Sequence, residues 1–97
     1  MHARVTSLSG SANDVDGGIA NFRENVLPFV EAESGKGAIL LVDRESGKAV
    51  AITLWEDERA MKASEERANA VRAQAAQQMG AEDASTIDRY EVAVFEV

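Results

Sequence analysis

Cysteine is absent from this 97-residue chain. That excludes disulfides, thiolate metal sites and a cysteine nucleophile, and it is compatible with a reducing compartment. Basic residues are scarce: ten Lys and Arg stand against seventeen Asp and Glu, a formal net charge of −7. No run of Lys or Arg forms a stripe, so neither nucleic acid nor an anionic membrane is an expected partner, because both require clustered cations. Long apolar runs are missing too. "AILLV" and "AVAI" are far too short to span a bilayer, and "MHARVTSLSG" lacks the basic-then-apolar order of a secretion signal. The expectation is a soluble cytoplasmic protein. Histidine occurs once, at His2, as does proline, at Pro28; aromatic residues make up 5% of the chain, with Trp55 the one tryptophan and Tyr90 the one tyrosine.

What is present is ordinary for a globular domain, 45% hydrophobic and 28% charged. The length suits a single domain over 1–97. A monomer of this size buries about 60–65% of its unfolded surface, so an oligomer would add needed burial.

The patterns order as β-α-β-β-α-β. "ARVTSL" (3–8) reads as a strand, and "SGSANDVDGG" (9–18) as a turn-rich connection in which Asn13 or Asp14 can cap a helix. Ile19, Phe22, Val26, Phe29 and Val30 keep helical spacing to about Glu33, with a kink or loosened turn expected at Pro28. "SGKG" (34–37) ends that helix. "AILLV" (38–42) and "AVAITLW" (49–55) are strands joined by "DRESGK" (43–48), where Gly47 can supply a positive φ. Asp57 reads as the cap of a second helix, whose stripe is Met61, Ser64, Ala68, Val71, Ala75 and Met79, with Gly80 as its stop. "AEDASTID" (81–88) leads to a last strand, "RYEVAVFEV" (89–97). This order predicts an α+β, ferredoxin-like fold: a four-stranded antiparallel sheet with both helices on one face. The other face should then be polar, and it is not. Val50, Ile52 and Leu54 of the third strand, with Ile39 and Leu41 of the second, form an apolar surface for a homodimer to cover.

"FRENVLPFVEAESGKGAILLVDRESGKAVAITLWEDERAM" (22–61) resembles the antibiotic biosynthesis monooxygenase (ABM) superfamily of dimeric α+β barrels, in which a strand ends in Trp-x-[Asp/Ser] before a helix. The resemblance runs through the element order of nearly the whole chain and is sharpest over 35–61. It implies a homodimer with a pocket between sheet and helices. Similar chains include cofactor-independent oxygenases of aromatic phenols and haem-degrading monooxygenases. The haem-degrading pattern has an Asn on the first strand, a Trp ending the third and a His on the second helix. Trp55 matches the Trp; the Asn position falls near Ala3, and residues 57–79 hold no histidine, so an axial haem ligand is lacking. No cofactor and no metal site are expected.

Trp55, Thr53, Arg4, Thr6, Asn25 and Tyr90 are the candidate pocket residues, with no catalytic group assigned among them. Trp55 is either a pocket wall or a plug at a strand end; small Ala49, Ala51 and Thr53 on its face leave volume under the helices. Arg4 can hold a phenolate or carboxylate, or pair with a neighbouring acid. His2 is placed in a fraying terminus, and Glu56, Asp57, Glu58, Glu65 and Glu66 on a helix start and a solvated face. Two functions follow. One is binding of a small aromatic or quinol-like molecule, with possible cofactor-independent oxygenation. The other is a non-catalytic ligand-binding or scaffold dimer. A pocket of roughly 300 Å³ or more beside Trp55, with two convergent polar groups, supports ligand binding; a filled core removes the oxygenase and ligand-binding readings and leaves the scaffold.

Overall fold

The computed structural model describes residues 1–78 and 86–97. Four strands, β1 (His2–Ser9), β2 (Gly37–Val42), β3 (Lys48–Trp55) and β4 (Thr86–Glu91), form one antiparallel sheet in the order β2-β3-β1-β4. That order, with α-helical connections after β1 and β3, fits the ferredoxin-like arrangement.

The first helical connection starts earlier than the apolar spacing suggests. Ser11 accepts a hydrogen bond from the Asn13 N–H through Oγ, 3.3 Å, and opens a 3₁₀ turn at Ala12–Asp14. Neither Asn13 nor Asp14 serves as the expected side-chain cap. α1 (Val15–Asn21) runs into a π-helical stretch, Phe22–Val26, and then α2 (Leu27–Ala32). The loosened turn expected at Pro28 lies just before it. The Leu27 N–H reaches back to the Phe22 carbonyl, five residues away, so the ladder is rephased where the proline, with no N–H, enters. α2 ends at Ala32 with Glu33 as its C-cap, and Ser34, next in the chain, takes the left-handed conformation itself (φ 61°), ahead of Gly35.

The β2–β3 hairpin turns as expected through Gly47, at φ 80°. A Cβ there would lie 2.6 Å from Ala12 N and Gly10 O, so glycine is required by space as well as by φ. Asp57 caps α3 (Glu58–Ala63), its carboxylate accepting from the Ala60 N–H at 2.8 Å. The second helix is not continuous: it breaks at Ser64, and α4 (Glu65–Gln78) follows. Met79 and the stop at Gly80 lie outside the described residues. The last strand is Thr86–Glu91, not 89–97. Its ladder with β1 runs to the His2–Glu91 pair, and one further bond joins the Val92 N–H to the Met1 carbonyl at 2.8 Å. Among the described residues the alternating "VAVFEV" beyond Glu91 forms no strand, and Val94 and Phe95 are exposed.

Burial follows the alternation of the strands. Leu8 and Ala49 pack with Val15 of α1 and Ala76 of α4, while Phe22, Val26 and Val30 pack on Ala38, Leu40 and Ala51. The helices therefore cover the face that carries Ala49, Ala51, Thr53 and Trp55. On the opposite face Val50 and Ile52 are half-buried, and Ile39 and Leu41 are 39% and 53% exposed. Leu54, set between Ala3 and Gly37 in register, is already buried in the single chain and offers little area to another.

Candidate functional site

Strand pairing sets the site. Arg4 lies opposite Thr53, Thr6 opposite Ala51 and His2 opposite Trp55, so the helix-facing rows of β1 and β3 bring Arg4, Thr6, Thr53 and Trp55 together. Arg4 is 2% exposed. An arginine in that position must find acceptors, and the break between α3 and α4 supplies them. Its Nη2 donates to the Met61 carbonyl at 2.7 Å and to Ser64 Oγ at 2.9 Å. The Met61 carbonyl belongs to the last turn of α3, where it accepts one tightened backbone bond, from the Ser64 N–H at 3.2 Å, and keeps room for further donors. Ser64 Oγ also donates to that carbonyl at 2.7 Å. Ser64 is thus the polar residue that the apolar stripe carries for a reason.

Glu65 completes the cluster. Its Oε1 lies 3.3 Å from Arg4 Nη2 and accepts from Arg89 Nε at 2.6 Å. The Arg89 hydrogen bond holds the Glu65 carboxyl below its usual range, with Arg4 acting in the same sense against partial burial. Burial pulls the Arg4 guanidinium below its ordinary value; Glu65 opposes this, while Arg72 and Arg89 add to it. Glu65 is therefore a partly buried link between the buried Arg4 and the exposed Arg89, not simply a member of a solvated face.

Trp55 has no exposed surface. Its Nε1 donates to Thr53 Oγ1 at 2.9 Å, Phe29 meets it edge-on at 6.2 Å, and the Arg4 guanidinium lies 5.5 Å from the ring centre. These contacts enclose the indole. Beneath the helices lies a cavity of about 50 Å³, whose walls include Leu8, Val26, Phe29 and Val71, with Arg4, Thr6, Thr53 and Arg72 as polar groups. Trp55 is not on that wall, contrary to the expectation from strand alternation. Its N–H is turned to its own strand neighbour Thr53, and Thr53 and Phe29 stand on the wall instead. The volume is well short of the roughly 300 Å³ at the low end for small-molecule pockets.

The remaining candidates lie elsewhere. Asn25, on the π-helical stretch, donates through Nδ2 to Asn21 Oδ1 at 2.7 Å and does not reach the cavity wall. Tyr90, opposite Ala3, is 55% exposed at the sheet's β4 edge. His2 is no frayed end: it pairs with Trp55 and Glu91 in the sheet, with Nε2 3.8 Å from Glu58 Oε2 and Nδ1 buried without a hydrogen-bond partner among the described residues. His2, Glu58, Arg89 and Tyr90 line a separate open groove of about 250 Å³.

No family model matches the chain. It is similar to "Uncharacterized protein Rv2557" of Mycobacterium tuberculosis (strain ATCC 25618 / H37Rv), 35% identical over 94 residues, which are 96% of this chain and 41% of that protein. It is also similar to "Uncharacterized protein Rv2558" of the same strain, 42% identical over 77 residues, 78% of this chain and 33% of the relative. The chain thus spans less than half of the length of these relatives, 41% and 33%. Among the described residues no helix is long and apolar enough to cross a membrane.

Proposed function

We propose that the chain is an ABM-like, homodimeric module that binds a small ligand beneath its helices without turning it over. The observation that carries the ligand reading is a cavity of about 50 Å³ with apolar walls and a buried arginine among them. An apolar cavity needs about 150 Å³ to take a benzene ring. The volume therefore favours a small molecule, or the head group of a longer one, over oxidation of a whole aromatic or quinol-like ring inside the subunit. The dimer reading rests on the helix-free sheet face, where Ile39 and Leu41 lie exposed beside half-buried Val50 and Ile52. Contiguous apolar patches of this kind on soluble proteins mark interaction sites.

Sedimentation velocity at micromolar concentration tests the assembly, with a dimer expected and a monomer overturning it. A fluorescence and thermal-shift screen with molecules of two to six non-hydrogen atoms tests the ligand. Trp55, beside Arg4 and Thr53, is the reporter; saturable changes are expected, and their absence across the screen removes the ligand reading.

A further inference from the structure

We propose that residues 92–97 of one copy of this chain add as a fifth strand to the open β2 edge of a second copy, which returns the same contact. This rests on the homodimer reading above and names the contact that closes the dimer.

The two edges of the sheet are unlike. β4 carries Asp88, Arg89 and Glu91, charges of the kind that keep an edge strand from pairing with another chain. β2, "GAILLV", carries no charge and no proline, and among the described residues no strand pairs with its outer side. The Asp43 N–H, one residue beyond β2, bonds to the Lys48 carbonyl at 2.9 Å. Antiparallel pairing alternates from there, so Ile39 and Leu41 bond to β3 while Ala38, Leu40 and Val42 turn their backbone N–H and C=O groups to the open edge. Beside that edge, on the helix side, lies a groove of about 280 Å³. Phe22 and Leu27 wall it with Ala38, Leu40 and Val42, and Arg23 is its one charged residue. On the other side of the edge Ile39 and Leu41 stand exposed. A strand added to β2 therefore meets apolar ground on both of its faces.

Residues 92–97 have the pattern of such a strand. "VAVFEV" alternates, matches the six residues of β2 in length, and leaves Val94, Phe95 and Val97 exposed. Its one charge, Glu96, is opposite in sign to Arg23 of the groove. The segment continues from β4, so β1 and β3 stand between it and β2 of its own chain. A second copy is the fitting partner. Among the described residues the exposed large hydrophobics fall into two sets: Leu27, Ile39 and Leu41 at the β2 edge, and Met1, Tyr90, Val94, Phe95 and Val97 around the end of β4. Each copy thus carries both halves of the contact, and a two-fold arrangement satisfies both at once. The uncovered sheet face offers less by itself, since Leu54 is buried and Val50 and Ile52 are half-buried. Strand addition supplies main-chain hydrogen bonds, and the groove selects the alternate side chains.

The test compares the whole chain with Val94→Pro, which removes a backbone donor from the added strand. Sedimentation velocity reads the dimer, and amide hydrogen exchange by ¹H–¹⁵N NMR reads the β2 edge. Val94→Pro is expected to weaken the dimer at least tenfold, with the urea midpoint of the monomer unchanged. The Ala38, Leu40 and Val42 amides are expected to exchange at least tenfold more slowly in the wild-type dimer than in the variant. Dimers of ¹³C-labelled and unlabelled wild type give a second measurement that needs no variant: intermolecular NOEs from Phe95 to Leu40 or Leu41 are expected. A wild-type dimer without those NOEs, or a Val94→Pro dimer as tight as wild type, would overturn the strand addition and leave the homodimer. A lower urea midpoint in monomeric Val94→Pro would place the segment against its own chain and overturn the strand addition too. A wild type that stays monomeric at every concentration would overturn both readings.

Discussion

At the scale of single residues, the interior depends on polar groups that meet one another. Replacing Trp55 with Phe keeps an aromatic ring but leaves space at a site with no exposed surface and removes the N–H that Thr53 accepts. The expected cost is about 1–3 kcal/mol from the lost volume and the unmade hydrogen bond, measured by urea unfolding. A change near zero would show that the indole is held less tightly than its contacts imply. Glu65 is the residue through which pH acts on this cluster. Its folded pKa lies below the ordinary 4.5, chiefly through the Arg89 hydrogen bond. The stability it contributes is therefore complete above the ordinary value and is lost as pH falls through the lowered one. Asp43 and Glu58 are shifted in the same direction, by backbone hydrogen bonds from Glu45 and Ser46 and by Lys62 respectively. Urea midpoints taken from pH 7 down to pH 3 should therefore fall, and fall less steeply in Glu65→Gln. That variant should also be less stable at neutral pH, by about 1 kcal/mol, because Arg4 loses its charged partner while keeping its bonds to Met61 and Ser64 and solvent screens the partly exposed carboxylate.

At the scale of elements, the chain ends and bends its helices with local devices, and each has its own energy. Asp57 is a side-chain cap in an extended conformation, so Asp57→Ala should cost about 1 kcal/mol in thermal or urea unfolding without changing the fold. Gly47 is more demanding. Its positive φ and the closeness of the Gly10–Ala12 backbone join the hairpin to the segment after β1, where the Gly10 N–H bonds to the Gly47 carbonyl at 3.1 Å. Gly47→Ala meets both strain and a clash, so its expected cost exceeds that of Asp57→Ala, at about 2 kcal/mol or more. If the two variants unfolded at the same urea concentration, the hairpin would be free to shift away from that segment.

At the scale of the whole molecule, one sheet face is sealed by helices and the other is left apolar. Ile52→Asp places a carboxylate at the centre of the uncovered face, between Ile39 and Val5 in register. In the proposed dimer that charge is buried without a partner, so the variant should sediment as a monomer where the wild type is a dimer. The Trp55 and Arg4 cluster lies on the opposite face, so Trp55 emission should be unchanged in the folded variant. An Ile52→Asp variant that stays dimeric would move the interface to another surface.

Much of the architecture was legible from periodicity. The strand and helix order, Gly47, the Asp57 cap and the two faces of β3 each follow from spacing or from one residue's backbone preference, which are local properties. The site was half legible: alternation placed Thr53 on one face with Trp55, and strand pairing, which the sequence does not show, adds Arg4 and Thr6 to them while leaving Asn25 and Tyr90 outside. What tertiary structure decided was where helices stop and which atoms meet. The break at Ser64 is stabilised by an arginine sixty residues earlier, and Glu65 leaves its solvated helix pattern for Arg4 and Arg89. The last strand ends with its β1 partner, although "VAVFEV" keeps a strand's alternation. Trp55 looked from its neighbours like a cavity wall, yet the rotation of one side chain toward Thr53 took it off that wall. Periodicity reports which side of an element faces inward, because it repeats along the chain; hydrogen bonds between distant residues, and the volume left between them, exist only once the elements have packed.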